Sequence, residues 1–195
     1  MNKNKNIKYN VVLLGGSKDG KTSILNAKNG LNFEEETLST IGIESFSEEK
    51  IINENIIKFK LYDTPSQERY RSTLTSPITI SDGIIIVFGV DESYILRGLD
   101  EWYNTIKENV DIKEKVIYLV GNKIDIDNRI ISKEEGQKLA NEKNMKYFET
   151  SAKTGEGIND VFNEIYNDIY ELNKDNRYLK HDKLFIINLN KYISS

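Results

Sequence analysis

The amino-acid sequence predicts an α/β fold, a mostly parallel six-stranded sheet flanked by helices. Three observations carry that prediction. Short runs that are apolar almost throughout alternate with longer segments whose apolar residues recur at helical spacing, the pattern of strands covered on both faces. The glycine-rich stretch 15-GGSKDGKT-22 lies between the first apolar run and the first helical pattern, where a strand would turn into a helix. Two polar clusters, NKID (122–125) and SAK (151–153), each close a later strand and so fall at the carboxyl edge of the sheet, where open α/β folds bind ligands.

In chain order, YNVVLL (9–14) is a buried central strand. A helical pattern follows over 21–29. The alternating stretch 43–52 is the antiparallel neighbour of a second alternating strand, NIIKFKLYD (55–63). GIIIVFGV (83–90) and KVIYLVGN (115–122) are further buried strands, and MKYFETS (145–151) is a short last one. Helical patterns occupy 97–109, 132–143 and 158–172. Ser132 with Glu135 forms a capping box that satisfies helix-end amides and fixes one helix start. Ile158, Val161, Phe162, Ile165 and Ile169 share one helical face and are core residues, as is Trp102. Residues 1–172 form one domain and 173–195 a tail.

Composition narrows the function classes. The chain has 195 residues, of which 30% are charged and 38% apolar, with a net charge of −4, so it belongs with soluble globular proteins and lacks the basic footprint of nucleic-acid binding. It has no cysteine, which excludes disulfides, thiolate metal sites and thiol catalysis and suits the cytoplasm. The amino terminus has no apolar region of signal-peptide type, and Asn2 replaces the glycine that myristoylation needs. His181 stands alone in the tail, a solvated histidine rather than a ligand.

The stretch 15–22 matches G-x-x-x-x-G-K-[ST], in which backbone amides converge on an oligophosphate and the following helix adds a favourable dipole. Lys21 would reach the β and γ phosphates, and the Thr22 hydroxyl would ligate Mg²⁺. The base is read elsewhere. An aspartate at position 125 can accept two hydrogen bonds from the N1 and N2 donors of guanine, a pattern adenine cannot offer, so guanine is expected over adenine.

With GNKID (121–125), ETSAKTG (149–155) and STIG (39–42) in this order and spacing, the chain resembles the Ras superfamily of small GTPases, and its Rab branch in particular, from about Val11 to Glu171. The resemblance implies a P-loop, Ras-like G domain that binds GTP and GDP with Mg²⁺ and hydrolyses GTP as a molecular switch in vesicle trafficking. It implies a nucleotide site of Gly15, Ser17, Lys18, Asp19, Gly20, Lys21, Thr22, Ser23, Phe33, Thr40, Ser66, Asn122, Lys123, Asp125, Ser151, Ala152 and Lys153. Thr22, Thr40 and Asp63 would hold the metal, with Asp63 acting through water, and Gln67, Lys21 and Thr40 would serve catalysis, Gln67 by orienting the attacking water. Phe33 would pack edge-on against the base, Asn122 and Lys123 would brace the base and the phosphate loop, and the Ala152 amide would read the guanine oxygen. Expected partners are an exchange factor, an activating protein and effectors for a cytoplasmic monomer that meets membranes through those partners.

Four departures bear on function. The pattern Asp-x-x-Gly becomes Asp63-Thr64-Pro65-Ser66. Ser66 keeps an amide for the γ-phosphate but loses glycine's freedom to reorient, while Pro65 fixes its own φ and pushes Thr64 toward extended conformations. Either only the reorientation slows, or Gln67 is held off the attacking water and hydrolysis is poor; the second is expected, and a hydrolysis-deficient binding protein is the rival reading. Lys18 and Asp19 stand where Rab proteins have Gly and Val, and Lys18 either adds charge near the phosphates or points to solvent. Ser45, Tyr62 and Pro77 replace the aromatic residues that Rab effectors read, and PITIS (77–81) replaces the usual Tyr-Tyr-Arg-Gly-Ala. The carboxyl-terminal KYISS offers no cysteine for a lipid anchor.

Overall fold

Val11, Val12, Leu13 and Leu14 are all fully buried, which requires a strand covered on both faces. That strand is β1 (Ile7–Gly15) in a computed structural model that describes residues 7–35, 40, 42–65 and 74–174. The chain continues through α1 (Lys21–Lys28), β2 (Glu44–Ile52), β3 (Asn55–Asp63), α2 (Thr75–Ile80), β4 (Gly83–Gly89), α3 (Ile95–Asn109), β5 (Val116–Asn122), α4 (Lys133–Glu142), β6 (Lys146–Glu149) and a last helix α5 over 158–174. The sheet order is β2-β3-β1-β4-β5-β6. Only the β2–β3 pair is antiparallel, with Phe46 opposite Leu61; all other neighbours run parallel. The six-stranded, mostly parallel sheet expected from the alternation is the one found.

Because successive strand residues face opposite ways, the sheet generates two cores. Leu13, Phe59, Leu61, Ile85 and Val120 join Ile24 and Leu25 of α1 and Val161, Phe162, Ile165 and Ile169 of α5 on one face. Leu14, Ile84, Ile86 and Leu119 join Ile78 of α2, Leu99, Trp102 and Ile106 of α3 and Ala140 of α4 on the other. Stacking of Phe59 on Tyr166, with ring centroids 3.9 Å apart, locks α5 to the centre of the sheet.

The differences from the sequence reading have local causes. Helix α2 was not foreseen, because TSPITI carries no helical apolar period; Pro77 occupies its first turn, where a missing N–H costs nothing, and Pro77 and Ile78 are buried. Helix α5 runs two residues past the boundary drawn at 172, and the Asn173 side-chain amide donates to the Ile169 carbonyl in its last turn, at 2.8 Å. The capping box forms as expected, with Ser132 Oγ accepting from the Glu135 amide and Glu135 accepting from the Ser132 amide. Among the described residues no helix is long and apolar enough to cross a membrane. The tail from 175 lies outside the described residues, and His181 with it.

One polar knot ties the edge strand to both helices of the first face. The Glu48 carboxylate of β2 accepts from the Tyr166 hydroxyl of α5 and from Lys28 Nζ of α1 at 3.0 Å, with Lys50 Nζ 3.3 Å away. Burial alone would push its carboxyl up, but the hydrogen bonds from Tyr166 and Lys28 and the charges of Lys28 and Lys50 outweigh it and hold the group below the usual 4.5. A carboxyl depressed in the folded state contributes stability that is complete above its unfolded value and is lost as pH falls through its folded one. In thermal unfolding, Glu48→Gln is therefore expected to melt below the parent at neutral pH, with a gap that closes progressively as pH drops below 4.5. A gap independent of pH would contradict this.

Candidate functional site

Parallel strands end together, so the loops after β1, β4, β5 and β6 meet at one edge of the sheet. Those after β1, β5 and β6, with the segment after α1, surround a cavity of about 760 Å³. Ser17, Lys18, Gly20, Lys21, Thr22, Ser23, Phe33, Thr40, Asn122, Lys123, Asp125, Ala152 and Lys153 line it, which brings most of the residues singled out in the sequence into one place. Glu34, Glu35 and Ile126 line it as well and were missed, since nothing but adjacency to Phe33 and Asp125 marked them. Gly15, Asp19, Asp63 and Ser151 are behind the walls rather than in the lining. Ser66 and Gln67 lie outside the described residues.

At the phosphate-loop end, Gly20 adopts φ 87°, and a Cβ there would stand 2.3 Å from Asn122 Nδ2, so both the turn and the close approach require glycine. The first turn of α1 then has no side-chain cap and no acidic residue, which leaves its amides available to an anion. Lys21 is only 3% exposed. Its ammonium donates to the carbonyls of Gly15 at 3.0 Å and Gly16 at 2.8 Å. Burial pushes its pKa down, opposed by the charges of Asp19 and Asp63. Lys18, in the left-handed region at φ 67°, is exposed and lines the cavity.

Beside it lies an oxygen cluster. Thr22 Oγ1 donates to Asp63 Oδ2 at 2.6 Å and is 3.0 Å from Thr40 Oγ1, which in turn reaches Asp63 Oδ2 at 3.3 Å. Asp63 is fully buried at the end of β3, and its other oxygen, Oδ1, has no hydrogen-bond partner. Burial pushes this carboxyl up, while Thr22, Lys21 and Thr40 pull the other way. A buried orphan carboxylate oxygen next to two hydroxyls is a hard-oxygen donor set of the kind Mg²⁺ takes, so these residues fit that ion.

At the other end, Asn122 is a hub. Its Nδ2 donates to the Asp19 carbonyl of the phosphate loop at 3.0 Å, while its Oδ1 accepts from the Thr150 hydroxyl at 3.1 Å and the Ala152 amide at 3.2 Å. Ser151 Oγ donates to Asp125 Oδ1 at 2.5 Å, orienting that carboxylate toward the cavity it lines. Lys123 departs from expectation: its ammonium pairs with both oxygens of Asp91, at 2.8 and 3.0 Å, instead of bracing the phosphate loop. Asp91 follows β4 and lies next to β5, and only the strand order brings the two together. Phe33, 39% exposed, lines the rim, with Lys153 and Glu35 in loose ionic contact at 3.9 Å.

The family model of the Ras family matches residues 10–171, a span that contains both ends of this cavity. The chain belongs to the Ras family. It is 31% identical to the GTP-binding protein YPT52 of Saccharomyces cerevisiae over 91% of its own length and 88% of that protein's. Identity is 33% to the Ras-related protein Rab-18-B of Danio rerio, covering 83% and 78% of the two chains, and 32% to the Ras-related protein SEC4 of S. cerevisiae, covering 78% and 70%. It is thus a Rab-like small GTPase, of a family that binds GTP and GDP with Mg²⁺ and hydrolyses GTP.

Asn122 is 1% exposed, and its removal would strand an acceptor at Asp19 and donors at Thr150 and Ala152. Each buried polar group left unpaired costs about 1–3 kcal/mol. Urea denaturation of nucleotide-free Asn122→Ala is expected to show a loss of at least about 2 kcal/mol relative to the parent, because more than one group is stranded.

Proposed function

We propose that this protein is a Rab-like guanine-nucleotide switch that binds GTP and GDP and hydrolyses GTP slowly, serving a vesicle-trafficking step through an exchange factor, an activating protein and effectors, in the cytoplasm and at membranes reached through those partners. The observation that carries the guanine reading is the pairing of Asp125, braced by Ser151, with Asn122, braced by Thr150, at the wall of one cavity. Asp125 accepts from the two guanine donors and Phe33 and Lys153 flank the base, while the Ala152 amide, expected to read the guanine oxygen, donates to Asn122 Oδ1. Uncapped amides of α1 and the buried Lys21 receive the phosphates. Thr22, Thr40 and Asp63 are the residues that would hold Mg²⁺, which when bound neutralises charge on the β and γ phosphates.

Slow hydrolysis is supported by the hinge that precedes the switch. Thr64 is 1% exposed and its hydroxyl donates to the Leu13 carbonyl at 2.6 Å, anchoring the chain to β1. Pro65 comes next with its fixed φ and is also buried. Anchoring of Thr64 and the fixed φ of Pro65 support the reading that Gln67 is poorly placed for an attacking water. The same hinge favours the second reading, a persistent GTP-bound binding protein that does not turn over.

One measurement tests the guanine reading and a second separates the slow switch from the binding protein. Bound fluorescent GDP should be displaced by GTP and GDP but not by equal ATP, and Asp125→Ala should lose the preference, with affinity for GDP falling on the order of a hundredfold. Displacement by ATP would refute guanine specificity. In single-turnover hydrolysis of preloaded GTP, Ser66→Gly is expected to be on the order of tenfold faster than the parent. Equal, measurable rates would show a working switch with no block at Ser66, and no turnover in either protein would favour the binding-protein reading.

A further inference from the structure

A carboxylate is an unexpected side chain to bury in a loop that receives phosphates. Asp19 is 8% exposed and turned beneath the loop. Its Oδ2 accepts from the Gly16 amide at 2.5 Å, and its Oδ1 lies 3.4 Å from the Gly89 amide at the end of β4. The two residues that supply these amides are both glycines, and at the first the fit is close: a Cβ on Gly16 would stand 3.0 Å from Oδ2. The carboxylate thus staples the loop to the end of the strand next to β1.

Its charge has a second consequence. Asp19 Oδ2 and Lys21 Nζ meet at Gly16, one on its amide and the other on its carbonyl, and Lys21 lines the cavity. Burial pushes the Asp19 carboxyl up, opposed by the Lys21 charge and the amides of Gly16 and Gly89. Its oxygens accept from two backbone amides, as a carboxylate does, and in this water-poor setting its negative charge would both offset the ammonium and repel phosphates, the repulsion growing with the number of charges on the nucleotide. A neutral side chain at this position would do neither.

We propose that Asp19 is a positioning residue that acts through Lys21 as an internal competitor of the nucleotide phosphates, weakening their retention and penalising the triphosphate more than the diphosphate. This rests on the guanine-nucleotide reading of the cavity. It gives the chain a built-in means of releasing nucleotide that does not depend on the switch loops.

The test uses the full chain loaded with fluorescent GDP or a fluorescent, non-hydrolysable GTP analogue, with dissociation followed after addition of excess unlabelled nucleotide. Asp19→Asn keeps an acceptor for the Gly16 amide and removes the charge; it is expected to slow GDP release on the order of tenfold and release of the triphosphate by more. Asp19→Val removes the acceptor as well, and the ratio of triphosphate to diphosphate release rates should fall in both variants, which loss of the staple alone would not produce. An unchanged ratio in the variants, or unchanged or faster release from Asp19→Asn, overturns the proposal while leaving guanine-nucleotide binding intact. Failure of the parent to bind either nucleotide overturns both readings.

Discussion

The site depends on one side chain that never needs to touch a reacting atom. Asn122 ends β5 and joins the phosphate loop, through the Asp19 carbonyl, to the turn after β6, through Thr150 and Ala152. These segments are 103 and 28 to 30 residues away from it in the chain. Without that joint the two ends of the cavity would be separate loops on a common sheet edge. With it, the distance between the phosphate-receiving amides and the base-reading carboxylate is fixed by the spacing of parallel strands, the most rigid ruler in the fold.

Around this joint the protein stores unmatched charge. Lys21, Asp63 and Asp19 are all buried, and burial is the leading influence on the pKa of each. Lys21 is held by loop carbonyls, Asp63 by two threonine hydroxyls with one oxygen left over, and Asp19 by amides. Asp63 Oδ1 is left without a partner, so a metal would complete hydrogen bonding that the chain leaves incomplete there. The site is organised before it is filled, and the framework that holds it is set by the two cores and the Glu48 knot.

The stretch 63–65 is anchored residue by residue. Asp63 has to stay buried for the oxygen cluster, and Thr64 is tied to the Leu13 carbonyl of the central strand. Pro65 follows, buried and with its own φ fixed. Flexibility in a switch comes from the backbone between anchored points, and here the anchored stretch reaches up to the serine.

Much of this was legible in the sequence because it is written in local patterns. Continuous apolar runs marked the parallel strands, the 43–63 alternation marked the antiparallel pair, and Ser132 with Glu135 marked a helix start; each rests on neighbours within a few residues. The phosphate loop, NKID and SAK were legible as motifs, and strand ends placed them at one edge. What the sequence could not supply was the direction of individual polar side chains. Asp19 read as a nucleotide contact and turned beneath the loop, and Lys123 read as a brace for that loop and paired with Asp91. Helix α2 formed without a helical period because burial of Pro77 and Ile78 against the second core outweighs propensity. The sequence by itself determined which segments are strands and helices and which residue types gather for nucleotide chemistry, because those depend on periodicity and spacing. Only the tertiary structure decided which partner each buried charge takes, because that depends on strand order, which brings residues distant in the chain within hydrogen-bond reach.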